Sequence, residues 1–508
     1  MSTTAPAAPA QDTKLDAAVL RIASVVVIGA LMSILDITVV SIAQQSFVEA
    51  FHVNLSTAAW TATGYTLALA TVIPLTGWAA DRFGTKRLYL TALILFTAGS
   101  ALCAMAWNIG SLIFFRVIQG FGGGMLVPLG LTIMTKAAGP ERVGRVMAVM
   151  GIPMLLGPIG GPILGGWLIQ AASWHWIFLI NVPIGIIALV LATMLLPKDN
   201  PQPSEPFDVV GMLLMSPGLA LFLYGVSSIP EAGTIASARV LIPGIIGLVL
   251  IAAFVWHAMR KEHPLIDLKL FKNRNLTVAT VTMTLFSVAF FGAMLLFPQY
   301  FIFARGRDPL PTSILLIPQG VGAMISMPVA GRLTDKYGPG RFVLSGIVLI
   351  ALSMVMFTQL TSTTPIPLLL ATLFVTGLGM GMTMMPIMSA AMATLTQHSV
   401  ARGSTLINII QQSAGSIGTA VMTVILTNQI LGNQASAFLY GVFVGQVDPS
   451  KLTPDALASG QAAMAHGFAN TFWVALVLVI LCLVPAFFLP RRKPGTGSPA
   501  RAQPRTCW

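Results

Sequence analysis

GWAADRFGTKR at 77–87 and GRLTDKYGPGR at 331–341 are one loop written twice. Gly77, Asp81 and Gly84 stand in the same spacing as Gly331, Asp335 and Gly338, 254 residues further on. Each loop follows one long apolar run and precedes another. A second pair keeps the register, because the glycines from Gly120 to Gly124 lie 257 residues before those from Gly377 to Gly381. Small-residue packing makes glycine runs recur in any helical membrane protein. It does not place a charged G-x-x-x-D-(R/K)-x-G loop at equivalent points. The chain therefore reads as two related halves, a common transporter plan that puts a substrate site between them near the bilayer midplane.

Outward from these loops, fourteen apolar spans can be marked, the first at 20–44 and the last at 467–490. Many exceed the roughly 20 residues needed to cross a bilayer. Apolar residues make up 56% of the chain and charged residues 9%, against about 25% charged in a soluble domain. A soluble fold would have too little polar surface to cover itself. The expected class is an all-α integral membrane protein with 14 transmembrane helices arranged as 6+2+6. Its parts are a disordered tail at 1–16, a six-helix half at 17–197, two inserted helices with linkers at 198–262, a second six-helix half at 263–490, and a disordered tail at 491–508.

Even parity places both termini on one side. With that side cytoplasmic, 23 of the 28 Lys and Arg fall in inner loops and tails and 4 in outer loops, leaving Arg116 inside a span. This bias orients the protein with both termini in the cytoplasm. It also accounts for the net charge of +12 without nucleic acid, which needs basic residues clustered on a solvated face. Cys103, Cys482 and Cys507 have no metal or disulfide spacing and read as free thiols. No charged, apolar and cleavable signal pattern begins at Met1, so the first apolar run is expected to remain a helix.

Of the 16 acidic residues, only Asp36 lies well inside a span. Desolvation favours the neutral form of a carboxyl group, and an ionisable residue within the membrane marks function by default. Asp36 lies fifteen residues beyond Arg21, about 22 Å along a straight helix. Arg116 lies roughly 8–10 Å in from the outer end of its span. In a core of about 30 Å both fall at similar depth in the outer half, which predicts electrostatic coupling between them. Two such groups without an intramembrane His/Glu cluster argue against an enzyme. No G-x-x-x-x-G-K-[ST] sequence is present for ATP, and no cofactor or metal is expected.

These residues give the chain its resemblance to the major facilitator superfamily, and within it to the fourteen-helix drug:proton antiporter branch. The loop 77–87 resembles the superfamily's signature loop, which implies gating roles on the inner side for Gly77, Asp81, Arg82, Gly84, Lys86 and Arg87. The repeat implies the same for Gly331, Asp335, Gly338 and Arg341. RVIQGFGGG matches the family's R-x-x-Q-G pattern at Arg116, Gln119 and Gly120. GIPMLLGPIGGPILGG resembles the antiporter motif through Gly157, Pro158, Gly160, Gly161, Pro162, Gly165 and Gly166. There glycines admit a neighbouring helix and prolines bend their own. LMSILDITVVSIAQQSF is similar to the L-D-x-T-V-V pattern, with Ser41 and Gln44–Gln45 departing from its continuation. WHWIFLINVPIG at 174–185, FDVVG at 207–211 and PLIDLKLFKNRNL at 264–276 also resemble the branch.

The resemblance implies a proton-coupled antiporter that exports hydrophobic or cationic drugs across the inner membrane of a bacterium by alternating access. The alternative is the same machine exporting an endogenous metabolite, lipid or siderophore. With one membrane acid, cationic drugs could compete directly with the proton at Asp36. Expected pocket residues are Trp60, Tyr65, Gln119, Phe290, Phe291, Gln319, Asn408, Gln411 and Gln412. Aromatics with a few amides suit varied lipophilic molecules. The outer segment 431–466 leaves open a contact with a periplasmic adaptor protein or a simple cap.

Overall fold

A computed structural model describes residues 16–491 except 54, 140–141, 200–205, 230–233, 235, 308, 394, 396–399, 444–446 and 449–451. The tails expected at 1–16 and 491–508 thus lie outside the described residues, apart from Asp16 and Arg491. Every regular element among the described residues is helical. The first half comprises α1 (Ala17–Ile42), α2 (Leu55–Phe83), α3 (Thr85–Ala104), α4 (Ile109–Ala138), α5 (Val143–Ala171) and α6 (Asn181–Leu195). Next come α7 (Val209–Ser227) and α8 (Ala238–Arg260). The second half comprises α9 (Arg274–Gln299), α10 (Ile317–Tyr337), α11 (Pro339–Phe357), α12 (Ile366–Met392), α13 (Val400–Leu431) and α14 (Pro454–Leu481). Thirteen helices among the described residues are long and apolar enough to cross a membrane. The 29-residue α5, rich in glycine and proline, brings the long helices to fourteen.

Local chemistry fixes the turns. The short link between α3 and α4 is set by Asn108, whose side chain accepts from the Ser111 N–H at 2.8 Å while Ser111 Oγ accepts from the Asn108 N–H at 3.2 Å. This reciprocal capping satisfies donors that a helix start leaves open. Both signature loops turn through a glycine of positive φ, 93° at Gly84 and 86° at Gly338. A side chain there would be strained.

The sequence repeat is a repeat of packing. In the first half α4 runs between α2 and α3, and α1 pairs with α5; in the second, α12 runs between α10 and α11, and α9 pairs with α13. Gly120 lets α4 reach the α2 backbone, since a Cβ there would sit 2.5 Å from the Tyr65 carbonyl oxygen. At the equivalent point Gly377 meets the Gln319 carbonyl oxygen. Between the halves, α2 packs on α13 and α5 on α10. Glycines of α5 face α1, and the Thr38 hydroxyl donates to the Gly157 carbonyl at 3.1 Å.

The α7–α8 pair is joined to the rest through α7, which packs against α2 of the first half and also touches α13 of the second. At one end Phe207 meets Trp78 at 4.4 Å between centroids; at the other Tyr224 stacks on Trp60 at 5.8 Å. Its anchor is Asp208. That carboxylate caps α7 through the Gly211 N–H at 3.0 Å and accepts from His257 at 2.9 Å, Lys261 at 2.8 Å and the Leu265 N–H at 3.0 Å. Burial pushes its carboxyl up, but these donors outweigh burial and hold it down at about 2. A depressed carboxyl stabilises the fold above its unfolded value near 4 and loses that contribution only as pH falls through the folded value. Asp208→Ala is therefore expected to lower stability by about 2 kcal/mol at neutral pH. An unchanged thermal midpoint of the detergent-solubilised protein would remove this anchor.

Within the segment 431–466 the described residues are largely helical. The helix Gln434–Phe443 packs on α14, its Tyr440 and Phe443 rings meet Phe303, and α14 itself begins at Pro454.

Candidate transport site and gate

A polar cluster lies inside the first half. Asp36 of α1 is 2% exposed and Arg116 of α4 is fully buried. Arg116 Nη1 donates to Asp36 Oδ2. The other carboxylate oxygen accepts from Gln119 Nε2 at 2.8 Å and Asn181 Nδ2 at 3.3 Å. Arg116 also donates to Gln119 Oε1 at 2.7 Å and to the Thr61 carbonyl at 3.0 Å. Gln119 reaches the Ser100 hydroxyl at 2.7 Å. The Arg116 guanidinium lies 4.2 Å from the centroid of the Tyr65 ring. Helices α1, α2, α3, α4 and α6 thus converge on one carboxylate. A buried ion pair endures only when hydrogen bonds satisfy its remaining atoms, and these amides do so. Among the described residues Asp36 is the only carboxylate buried inside a spanning helix. Gln44, where the chain leaves the L-D-x-T-V-V pattern, donates to the Thr61 hydroxyl at 3.2 Å.

Between the halves lies a cavity of about 430 Å³, lined from α1, α2, α4, α9, α12 and α13, within the range of small-molecule sites. Phe290, Phe291, Asn408, Gln411 and Gln412 line it, as do Ser33, Ile34, Ile37, Met294, Met380, Met384, Ser416 and Thr419. Of the other expected pocket residues, Tyr65 and Gln119 belong to the buried cluster and Trp60 of α2 stacks on Tyr224 of α7. Gln319 is buried beside α12. None of these four is part of the cavity wall, and neither is the Asp36 carboxylate.

One turn beyond the cavity's Pro128 and Asn408, the Thr132 and Ser404 hydroxyls meet at 2.8 Å and join α4 to α13. Two ion pairs then bridge the halves. Asp81 of α2 faces Arg402 of α13 at 3.6 Å, and Asp335 of α10 faces Arg145 of α5 at 3.8 Å. Each half supplies one acid and one base. Gly77 lets α2 approach Arg402 and Thr405. Lys86 stays within its own half, where Nζ donates to the Thr193 and Leu196 carbonyls at 2.7 and 2.8 Å. The Asp199 carboxylate accepts from the Lys86 and Arg87 backbone N–H groups at 2.8 and 2.9 Å. The Arg82, Arg87 and Arg341 residues are exposed, and Gly331 and Gly338 are buried.

In the α5 motif, Gly157, Gly161 and Gly165 abut α1 at Ile34, Thr38 and Val39, Gly160 reaches Leu35, and Gly166 faces open space. The side chains of Pro158 and Pro162 lie outside the described residues.

Sequence reasoning missed Arg145 and Arg402 as a pair, although they stand 257 residues apart, the offset of the glycine runs. It also missed Asn181, which sits inside the quoted stretch 174–185.

Residues 26–419 match the Major Facilitator Superfamily. Over 494 residues the chain is 51% identical to the "Multidrug resistance protein B homolog" of Mycobacterium tuberculosis, covering 94% of this chain and 92% of that protein. Among solved structures, the human organic anion transporter MFSD10 (TETRAN) superposes with a TM-score of 0.60 at 14% identity, over 91% of this chain and 99% of the other. The proton:xylose symporter XylE superposes with a TM-score of 0.58 at 15% identity, over 93% and 96%. At these identities the two structures share a fold with this chain.

Proposed function

The chain belongs to the major facilitator superfamily, and from that premise we propose that it is a proton-driven exporter of hydrophobic or cationic drugs, working by alternating access across the cytoplasmic membrane of a bacterium. The observation that carries the reading is Asp36, among the described residues the one carboxylate buried inside a spanning helix, paired with Arg116 beside a cavity between the halves. Protonation of Asp36 removes the charge that holds Arg116. Deprotonation restores it. An antiporter needs such a group to take a proton when the drug leaves and release it when the drug enters. The cavity wall offers two phenylalanines, methionines and three amides but no charge, a surface suited to large lipophilic molecules of varied shape.

The loops 77–87 and 331–341 form the inner gate in this reading. Asp81–Arg402 and Asp335–Arg145 close the cytoplasmic end beneath the cavity, with both termini on that side. The six-helix halves 17–197 and 263–490 move against each other, and 198–262 is an insertion at their seam. The helix Gln434–Phe443 folds back on α14, which favours a cap over an adaptor arm.

The test uses inverted membrane vesicles. A fluorescent lipophilic cation should accumulate when a pH gradient is imposed and leave when an ionophore collapses it. Accumulation that survives collapse would overturn proton coupling. A protein that moves none of a broad panel of lipophilic compounds would overturn the drug assignment.

A further inference from the structure

The carboxylate and the cavity do not meet. Ile34 and Ile37 of α1 line the cavity while Asp36, between them in sequence, points into the first half toward Arg116, Gln119 and Asn181. A drug in the cavity therefore does not touch the group that carries the proton. The two are joined by one chain of contacts. Ser33, one turn before Asp36, lines the cavity. Its hydroxyl lies 3.1 Å from the Tyr65 hydroxyl and 3.2 Å from the Gly123 carbonyl oxygen. A carbonyl can only accept, so Ser33 donates to Gly123 and accepts from Tyr65. The Tyr65 ring lies beneath the Arg116 guanidinium at 4.2 Å. Arg116 closes the chain on Asp36.

We propose that Tyr65 is the positioning residue that couples cavity occupancy at Ser33 to proton binding at Asp36, so that drug and proton compete without sharing a site. This rests on the reading of Asp36 as the proton-binding group. With Asp36 charged, Arg116 is held toward α1, the Tyr65 ring is fixed beneath it, and the tyrosine hydroxyl holds Ser33 against Gly123. With Asp36 protonated, Arg116 keeps the Tyr65 ring, the Gln119 amide oxygen and the Thr61 carbonyl as its partners. The guanidinium then moves toward these groups and Tyr65 moves with it. Ser33 is released and the cavity wall changes. A burial pattern supports the link: Tyr65 is fully buried, so its ring cannot move without moving a neighbour. Gly123 is part of the device, because a Cβ there would collide with the Tyr65 hydroxyl. The other titratable groups facing Asp36 are few. They are Arg116 from α4, Tyr65 from α2 and Cys103 from α3, whose sulfur lies 3.7 Å from Gln119 Oε1. The faces of α5 and α6 toward it supply glycines and Asn181.

One consequence is that the drug need carry no charge. Competition through Tyr65 acts on the shape of the wall at Ser33, so neutral and cationic compounds are coupled alike.

The test is binding of a fluorescent lipophilic cation and of a neutral lipophilic dye to the purified full-length protein at mildly acidic and mildly alkaline pH. Wild type should bind each about tenfold more weakly at the acidic pH. Tyr65→Phe keeps the ring under Arg116 and removes the hydroxyl. Ser33 is then released at either pH, so the variant should bind at alkaline pH about as weakly as wild type does at acidic pH and lose most of the pH dependence. Ser33→Ala cuts the same link from the cavity side; since Ser33 lines the cavity, this variant is read by the ratio of its affinities at the two pH values, which should fall as it does in Tyr65→Phe. Asp36→Asn controls for the underlying reading and should also be pH-insensitive. If Asp36→Asn is flat while both Tyr65→Phe and Ser33→Ala keep the full pH dependence, the Tyr65 link is overturned and the proton site stands. If Asp36→Asn keeps the wild-type dependence, the proton site itself is overturned. Equal loss of affinity at both pH values in both link variants would show a purely structural role and also overturn the inference.

Discussion

Asp36→Asn is expected to abolish uphill export while leaving downhill exchange of drug in place. The magnitude follows from what one proton can do. A membrane potential of about 100 mV is worth roughly 2.3 kcal/mol per elementary charge. One proton exchanged for a neutral drug therefore sustains a gradient of roughly 50-fold at that potential. A monovalent cation exchanged for one proton moves no net charge, so its export follows the pH gradient alone, about tenfold per pH unit. With one carboxylate buried in the spans among the described residues, this difference between neutral and cationic drugs is a sharp expectation. In Asp36→Asn the neutral drug should fall to equal concentrations and the cation to the distribution set by the membrane potential alone. The amide can still accept from Gln119, but it cannot balance Arg116, so the guanidinium is left buried and unpaired. A loss of about 3–5 kcal/mol of stability accompanies removal of one partner of such a pair. Export is therefore to be scored per folded molecule, from size-exclusion profiles. Concentrative export at wild-type level in Asp36→Asn would end the assignment of proton coupling to this residue.

The duplication was legible because the loops carry a charged pattern at fixed spacing, and Gly120 and Gly377 mark the same close helix approach in both halves. The depth of a group along its helix was legible too, since rise per residue is nearly constant. Asp36 and Arg116 were placed at one level by that count, and the structure puts them in contact. What the sequence withheld was rotation. Tyr65 and Phe291 are both aromatics within spans, yet Tyr65 lies behind α1 under Arg116 while Phe291 lines the cavity. A helix apolar on all sides has no polar face to say which way it turns. Trp60 and Gln319 fell to the same ambiguity, one to α7 and the other to α12. Arg145 and Arg402 were hidden differently. They read as ordinary inner-loop cations, because charge counting assigns sides and not partners.

Those two arginines lead to the second large effect. Replacing Arg145 and Arg402 together by alanine is expected to open the end of the bundle that carries the signature loops. Each ion pair is partly shielded, with side-chain exposures between 11% and 19%, and a pair of this kind contributes about 1 kcal/mol. The two pairs are related by the repeat and share no residue, so their contributions should add. A loss of about 2 kcal/mol shifts the equilibrium between the two access states roughly 30-fold. Spin labels at the exposed positions Phe83 and Tyr337, one on each half, read this shift as a longer distance between the helix ends. Asp81→Arg with Arg402→Asp restores one pair with its polarity reversed and should return most of the closed population that Arg402→Asp alone loses. Arg402 lies two residues before Ser404, whose hydroxyl meets that of Thr132 one turn from the cavity, so opening this end also loosens the floor of the cavity, and the double variant should leak drug down its gradient. Unchanged label distances in the double variant would mean that helix packing at Gly77, rather than charge, holds this end shut.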